Sequence, residues 1–294
     1  IPHQYPSPHP AATHAHRHHV QVISEVEIAL RAKPKAKLVV ITGTNGKSTT
    51  TALIGHCLVT AGYPVAVGGN LGEAACSLDD PGENGALVLE LSSYQLETTP
   101  SLTPSISILL NISPDHLDRH GGMDGYITAK TMVLDRLEKS GIAIIGAGDE
   151  HVQKLSKATA AKGIKTLIAN PNLAPFGQHR SPELAGEHNA ENAAAAALAL
   201  HTLGLNEKMI HHGISSFTNL PHRLQRVASC GNVQFINDSK ATSFEAAKFA
   251  LKSKKNIFWI LGGLPKQKDK ITFKEFKNNI LKSYIIGKSV NFFR

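Results

Sequence analysis

Short, uninterrupted apolar runs punctuate the chain, and between them the apolar positions take on a helical period. Lys37–Thr42 (KLVVIT), Ala86–Glu90 (ALVLE), Ile106–Ile112 (ISILLNI), Ile142–Ile145, Val233–Ile236 and Ile257–Leu261 are continuous rather than alternating. Such runs predict strands buried on both faces. Thr50–Thr60, Asp124–Leu137, the alanine-rich His188–Leu203 and Ser243–Leu251 read as helices. Val20–Ile28 (VQVISEVEI) reads as a strand leading into the start of a helix. Strands that alternate with helices predict an α/β fold with a mostly parallel sheet. No internal repeat is visible, and the proline-containing stretch Asn219–His222 marks a domain boundary.

Composition narrows the class. The 294 residues are 41% apolar and 18% charged, which excludes a mainly disordered chain and a coiled coil. No stretch of 18 apolar residues runs uninterrupted, so no membrane span is expected. Cys57, Cys76 and Cys230 lie far apart without a C-x-x-C pair; this predicts neither a disulfide framework nor a zinc ribbon and fits a reducing cytoplasm. No basic flank and apolar core of a secretory signal opens the chain. Residues 1–19 hold His3, His9, His14, His16, His18 and His19 among four prolines. They read as a proline-broken connector in preference to a metal-binding tail.

The net charge of +8 is uneven. From Lys248 onward there are twelve Lys and Arg against Asp269 and Glu275, hence +10, and the rest of the chain sums to −2. A basic tail can attract nucleic acid, but no aromatic–basic interleaving or nucleic-acid motif accompanies it, and no nucleic-acid partner is expected.

Candidate chemistry begins where the first strong strand ends. Gly43, Thr44, Asn45, Gly46, Lys47, Ser48 and Thr49 follow a strand and open a helix, the context a phosphate loop needs. Glycines let backbone N–H groups approach phosphate oxygens, and the helix N-terminus adds a positive dipole end. Lys47 can reach β/γ-phosphates and Ser48 can sit on Mg²⁺. The loop is two residues shorter than G-x-x-x-x-G-K-[ST], with Ile41 at the first glycine position, and an ordinary glycine turn capped by Ser48 or Thr49 is the competing reading. Glu90 ends a strand at the edge where α/β sheets place ligands; it reads as a Mg²⁺ ligand or as a solvated strand-end carboxylate. The next strand ends in Asn111–His120 (NISPDHLDRH), which brings Asp115 and His116 to the same edge, His116 as a candidate ligand for a second metal ion. Lys130, in Tyr126–Lys130 (YITAK), reads on its own as a solvent-facing helix lysine.

Taken in order, G-T-N-G-K-S-T, E-L-S-S-Y-Q-L, N-I-S-P-D-H-L-D-R-H, Y-I-T-A-K, H-N-A-E-N, P-H-R and N-D-S-K-A-T resemble the motifs of the Mur ligases across about 230 residues. E-L-S-S-Y-Q-L and Gly68–Gly72 (GGNLG) resemble the branch that adds D-glutamate. The resemblance implies an ATP-dependent amide ligase. ATP would phosphorylate the carboxylate of UDP-N-acetylmuramoyl-L-alanine, and the D-glutamate amine would attack the acyl phosphate. It implies a central P-loop-type ATPase domain at 37–220. Residues 1–36 would be the last piece of a UDP-binding N-terminal domain with its linker, and 221–294 part of a Rossmann-like C-terminal domain. On this resemblance the chain is a piece of a ligase and is expected to be monomeric.

The same resemblance assigns residues. Lys47 and the Gly43–Gly46 backbone would hold ATP phosphates, with Ser48 and Glu90 on one Mg²⁺. His116 would serve a second Mg²⁺, and Lys130 would be carbamylated to support that ion, which reverses its solvent-facing reading. Asn189 and Asn192 would face adenine. Arg223 and Asp238 would approach the nucleotide. Asn70, Ser92 and Gln95 would touch UDP-N-acetylmuramoyl-L-alanine, and Lys240, Thr242 and Lys266 would lie near D-glutamate. The chain departs from the pattern at Ser243, where asparagine is usual, and at Gln267, where a small residue is commoner. Two other readings are another Mur-like ligase, including folylpolyglutamate synthase, and an ATP-binding piece without catalysis.

Overall fold

Strand β1 (Lys37–Thr42) is buried at every position after Lys37, because it has a strand on each side and a helical layer on each face. The computed structural model describes residues 10–32, 34–170, 172, 184, 186–218, 220–241, 244–264 and 273–293. Among these, β1 joins β2 (Val65–Gly69), β3 (Ala86–Glu90), β4 (Ile106–Leu109), β5 (Ile142–Gly146) and β6 (Lys165–Ala169) in a six-stranded sheet of order β2-β3-β1-β4-β5-β6. Every pairing in it is parallel. The chain leaves β1 for one side, returns through β3, then crosses to β4 on the other side. Such a reversal of winding places a ligand crevice at the carboxyl ends of the strands it separates.

Alternate residues of β1 serve opposite faces, as the strand period of two requires. Val39 and Ile41 pack with α3 (Lys47–Thr60), α8 (Glu187–Thr202) and α9 (Glu207–Ser216). Leu38 and Val40 pack with α2 (Glu25–Arg31), α4 (Ser93–Glu97), α6 (Met123–Asp135) and α7 (Glu150–Ala161). The alanines of α8 from Ala193 to Ala197 are all buried, so this helix packs by close approach rather than by bulk. Gly55 of α3 makes a similar accommodation, since a Cβ there would lie 2.6 Å from Val67 Cγ2.

Several elements differ from the pattern. Val20–Ile28 contains no strand: Val20 is 59% exposed, Ser24 caps α2 by accepting the Glu27 N–H, and Val26 and Leu30 point inward one helical turn apart. The proline-broken connector contains a helix, α1 (Pro10–Arg17), which starts on proline, where the missing N–H costs nothing. His3 and His9 lie outside the described residues. β4 stops at Leu109, before the predicted Ile112, because Asn111 turns away to bind the loop after β1. β2, β6, α7 and α9 were not expected. β2 is short and glycine-rich, and β6 opens with the polar pair Lys165 and Thr166, so neither makes a strong apolar run.

The chain divides into two compact units, 1–217 and 218–294. The second contains the antiparallel pair β7 (Gln225–Cys230) and β8 (Val233–Asn237), helix α10 (Phe244–Ser253), and the parallel pair β9 (Ile257–Gly262) and β10 (Ile280–Ile286). Trp259 packs edge-on against Phe273 at 4.9 Å, and Phe244 meets the same ring at 5.4 Å.

Candidate functional site

The loop after β1 is held from two directions. Gly46 occupies the N-cap of α3 with φ +84° and offers no side-chain cap. A Cβ on it would lie 2.2 Å from Asn192 Oδ1, so only glycine fits between the loop and α8. On the other side, Asn111 accepts the Asn45 N–H at 2.8 Å and donates Nδ2–H to the Asn45 carbonyl at 3.1 Å. Thr44 N–H donates to the Asn111 carbonyl at 2.9 Å, and Thr44 Oγ1 lies 3.1 Å from the Tyr126 hydroxyl. Asn111 and Tyr126 therefore shape the loop. Both lie inside motifs of the sequence, N-I-S-P-D-H-L-D-R-H and Y-I-T-A-K, that assign them no role on their own. The hydrogen-bonding side chain at the end of the strand beside β1 was the available signal.

Lys47 folds back over the loop and donates to the Gly43 and Thr44 carbonyls at 3.0 and 2.9 Å. Ser48 is buried and Thr49 half-buried on the first turn of α3. Across the crevice, Glu90 at the end of β3 is 2% exposed. Its Oε1 accepts from Asn70 Nδ2 at 3.2 Å, while its Oε2 is buried with no hydrogen-bond partner. This excludes the solvated strand-end reading. A buried acceptor without a donor is costly unless a cation or donor meets it.

Lys130 is also buried, at 2% exposure, so the solvent-facing reading is wrong. α6 lies against the sheet and projects its ammonium stem inward past the Tyr126 ring, 4.9 Å away. Nζ donates to the Gly43 carbonyl at 2.8 Å and reaches Thr42 Oγ1 at 3.5 Å. Burial, reinforced by the nearby Lys47 charge, holds its pKa well below the ordinary lysine value, against the opposing pull of Asp115 and Glu90.

His116 starts the short helix α5 (Leu117–His120) in a left-handed conformation, φ 52°. Its Nε2 lies 3.4 Å from Asp115 Oδ2, and its ring meets Tyr94 edge-on at 5.3 Å. Nearby, the His120 side chain is 1% exposed, bonded to Ser93 Oγ at 3.0 Å and stacked on Tyr94. Burial keeps it below the ordinary histidine pKa despite Glu97.

Other expected site residues have structural employment. Ser92 and Gln95 form a capping box on α4: Ser92 Oγ accepts the Gln95 N–H, and Gln95 Oε1 accepts the Ser92 N–H at 3.0 Å. Gln95 is 1% exposed. The S-x-x-Q spacing signals such a box. Asn189 and Asn192 are buried and bonded to one another at 3.2 Å, with Asn192 against Gly46. Between them on α8, Glu191 accepts the Ala147 and Gly148 N–H groups at 2.7 and 3.2 Å, and burial raises its pKa. It ties the loop after β5 to α8. Asn70 is exposed at the end of β2.

In the second unit, Asp238 Oδ1 accepts the Leu224 N–H at 3.0 Å, and burial raises its pKa. Lys240 N–H donates to the His222 carbonyl at 3.1 Å. These bonds join the turn carrying Arg223 to the turn after β8. Thr242 and Lys266 lie outside the described residues.

Mg²⁺ takes oxygen ligands, few of them from protein when phosphates supply the rest. The buried Glu90 Oε2 and the Ser48 hydroxyl fit that donor set. Among the described residues no group of three or more His, Cys, Asp or Glu side chains could hold a metal ion alone.

The chain and its fold resemble those of known proteins. Residues 41–174 match the Mur ligase middle domain. UDP-N-acetylmuramoylalanine--D-glutamate ligase of Rhodospirillum rubrum is 41% identical over 312 residues, covering 98% of this chain and 65% of that protein. The enzyme of that name from Paramagnetospirillum magneticum is 39% identical over 311 residues, covering 100% and 68%. The chain thus spans about two thirds of the length of these curated relatives. MurF from Acinetobacter baumannii superposes with a TM-score of 0.66 at 22% identity, over 81% of this chain and 59% of that one. MurF ligase from Thermotoga maritima, solved in complex with ADP, gives 0.64 at 17%, over 88% and 73%. At those identities the two structures speak for the fold alone. The sequence match over nearly the whole chain goes further: the chain belongs to the Mur ligase family.

Proposed function

We propose that the protein is an ATP-dependent amide ligase that joins D-glutamate to UDP-N-acetylmuramoyl-L-alanine in cell-wall precursor synthesis. One observation carries the reading. The phosphate-loop lysine, a buried carboxylate oxygen without a donor, and a buried lysine whose pKa is lowered by desolvation gather at the carboxyl edge of β1 and its neighbour β3. The names of the relatives supply the substrates.

Lys47 exchanges its bonds to the Gly43 and Thr44 carbonyls for phosphate oxygens, and the N-terminus of α3 adds its dipole to the same anion. Ser48 and Glu90 would hold one Mg²⁺ and His116 a second, and such ions would supply positive charge against the phosphate oxygens. Burial lowers the Lys130 pKa and so favours the neutral amine, whose lone pair would add to carbon dioxide with loss of a proton; the resulting carbamate would supply an anionic oxygen donor. Glu191 and Asn111 keep the loops rigid. Ser92 and Gln95 act by fixing the turn that follows Glu90, and Asn70 meets the UDP-linked substrate. Asn189 and Asn192 support the adenine side through Gly46. Arg223 and Asp238 serve the nucleotide, and Lys240, Thr242 and Lys266 serve D-glutamate. The protein works as a monomer in the cytoplasm.

The test is phosphate release from ATP with Mg²⁺, with UDP-N-acetylmuramoyl-L-alanine and D-glutamate added singly and together. Release that needs both substrates is expected. ATP binding without D-glutamate-dependent release would instead assign nucleotide binding alone to this chain, and folate-stimulated turnover would move it to another branch of the family.

A further inference from the structure

We propose that His14 and His18 form a two-imidazole chelate for a divalent transition-metal ion of the copper, nickel and zinc class. The His18 N–H donates to the His14 carbonyl at 3.1 Å, so the turn of α1 continues to His18 and the two residues stand one helical turn apart. Positions i and i+4 share a face of a helix. It is the spacing by which H-E-x-x-H helices present two imidazoles to one zinc ion. The rings already meet here, with centroids 4.3 Å apart and planes inclined at 48°. Both side chains are exposed, which leaves the other coordination positions to water.

Donor chemistry selects the metal. Two neutral nitrogen ligands with no carboxylate between them disfavour Mg²⁺ and Ca²⁺ and favour the later first-row ions. Arg17, exposed and three residues from His14, adds a cationic neighbour. Its repulsion weakens every divalent ion alike, and among them Cu²⁺ has the strongest bond to imidazole in the Irving–Williams order. None of the phosphate-loop, Glu90 or Lys130 chemistry lies on α1, so this site is separate from the ligase reading. A metal bridging one turn also stabilises a helix of eight residues, which is too short to be stable by propensity alone.

The experiment titrates the full chain with CuCl₂ by calorimetry and records the electron paramagnetic resonance spectrum at one equivalent. The wild-type chain is compared with His14→Ala, His18→Ala and the double variant. Alanine is the best helix former, so the substitutions remove ligands and keep the helix, which circular dichroism checks. Expected is a two-nitrogen spectrum and an affinity that falls roughly tenfold or more in either single variant. The double variant should fall little further, because a chelate is lost with its first ligand. Unchanged affinity in either single variant overturns the proposal. So do losses that add in the double variant, since independent surface histidines would behave that way.

Discussion

Lys130 and Lys47 approach the same loop carbonyl, that of Gly43, and the fold treats them differently. Lys47 sits at the mouth of the loop, whereas Lys130 is buried on α6, which holds its pKa well below the ordinary lysine value. Lysine in the unfolded chain titrates near its ordinary 10.5, and the folded value is lower. Between the two values the unfolded state binds the proton and the folded state does not, so stability rises with pH across that window and is lower, and flat, below it. The urea midpoint in carbon-dioxide-free buffer should therefore climb from neutral pH toward pH 10, and Lys130→Met should flatten the climb. Parallel slopes for the two proteins would show that another group titrates. Lys47→Ala should leave the denaturation midpoint nearly unchanged and reduce ATP affinity on the order of tenfold to a hundredfold, as expected for losing a charged phosphate contact worth about 1.5–3 kcal/mol. Calorimetry with ATP and Mg²⁺ measures it.

Elements in this protein are set together by small residues and by buried polar bonds as much as by bulk. α9 lies on α3 at Gly213, where a Cβ would stand 2.7 Å from Cys57 Sγ and 2.9 Å from Cys57 Cα and Cβ. Backbone atoms cannot swing aside as a side-chain tip can, so Gly213→Ala must push the helices apart. A loss of about 1–3 kcal/mol is expected by chemical denaturation, the usual cost of overpacking. At the other end of the unit, the buried Glu27 of α2 accepts the Ser101 N–H and hydroxyl at 2.9 and 2.8 Å and pairs with Arg31 at 2.8 Å. Burial pushes its carboxyl up, but these donors win and hold it below the usual range. α2 is thereby tied to the loop before β4 by a carboxylate that its amphipathic pattern alone would have turned to water.

Across the whole molecule the three cysteines report on the packing. Cys57 lies between α3 and α9 with no exposure, and burial pushes its thiol up to about 12. Cys76 and Cys230 are exposed. Reactivity follows thiolate and access. A thiol reagent at neutral pH should thus modify two groups quickly in the native protein and the third only on unfolding. Fast modification of all three would mean that the α3–α9 layer opens readily. No helix among the described residues is long and apolar enough to cross a membrane.

The strand runs at Lys37–Thr42 and Ala86–Glu90, the phosphate loop between strand and helix, and the placing of Glu90 at a strand end were all determined by local sequence. Burial on both faces leaves an unbroken apolar run, and turn chemistry needs glycine at fixed positions, so those features are written in neighbouring residues. The edge strands β2 and β6 were not legible, because a strand flanked on one side needs no such run. Tertiary structure alone decided the rest. Lys130 reads as an ordinary helix lysine until α6 is laid on the sheet. Gln95, assigned to the substrate by resemblance, is seen to cap the turn after Glu90 only once α4 is in place. Asn192 lies against Gly46 only because α8 crosses behind the loop, 146 residues away in sequence. Burial, desolvation and close approach arise between elements distant along the chain, and no spacing within one element can encode them.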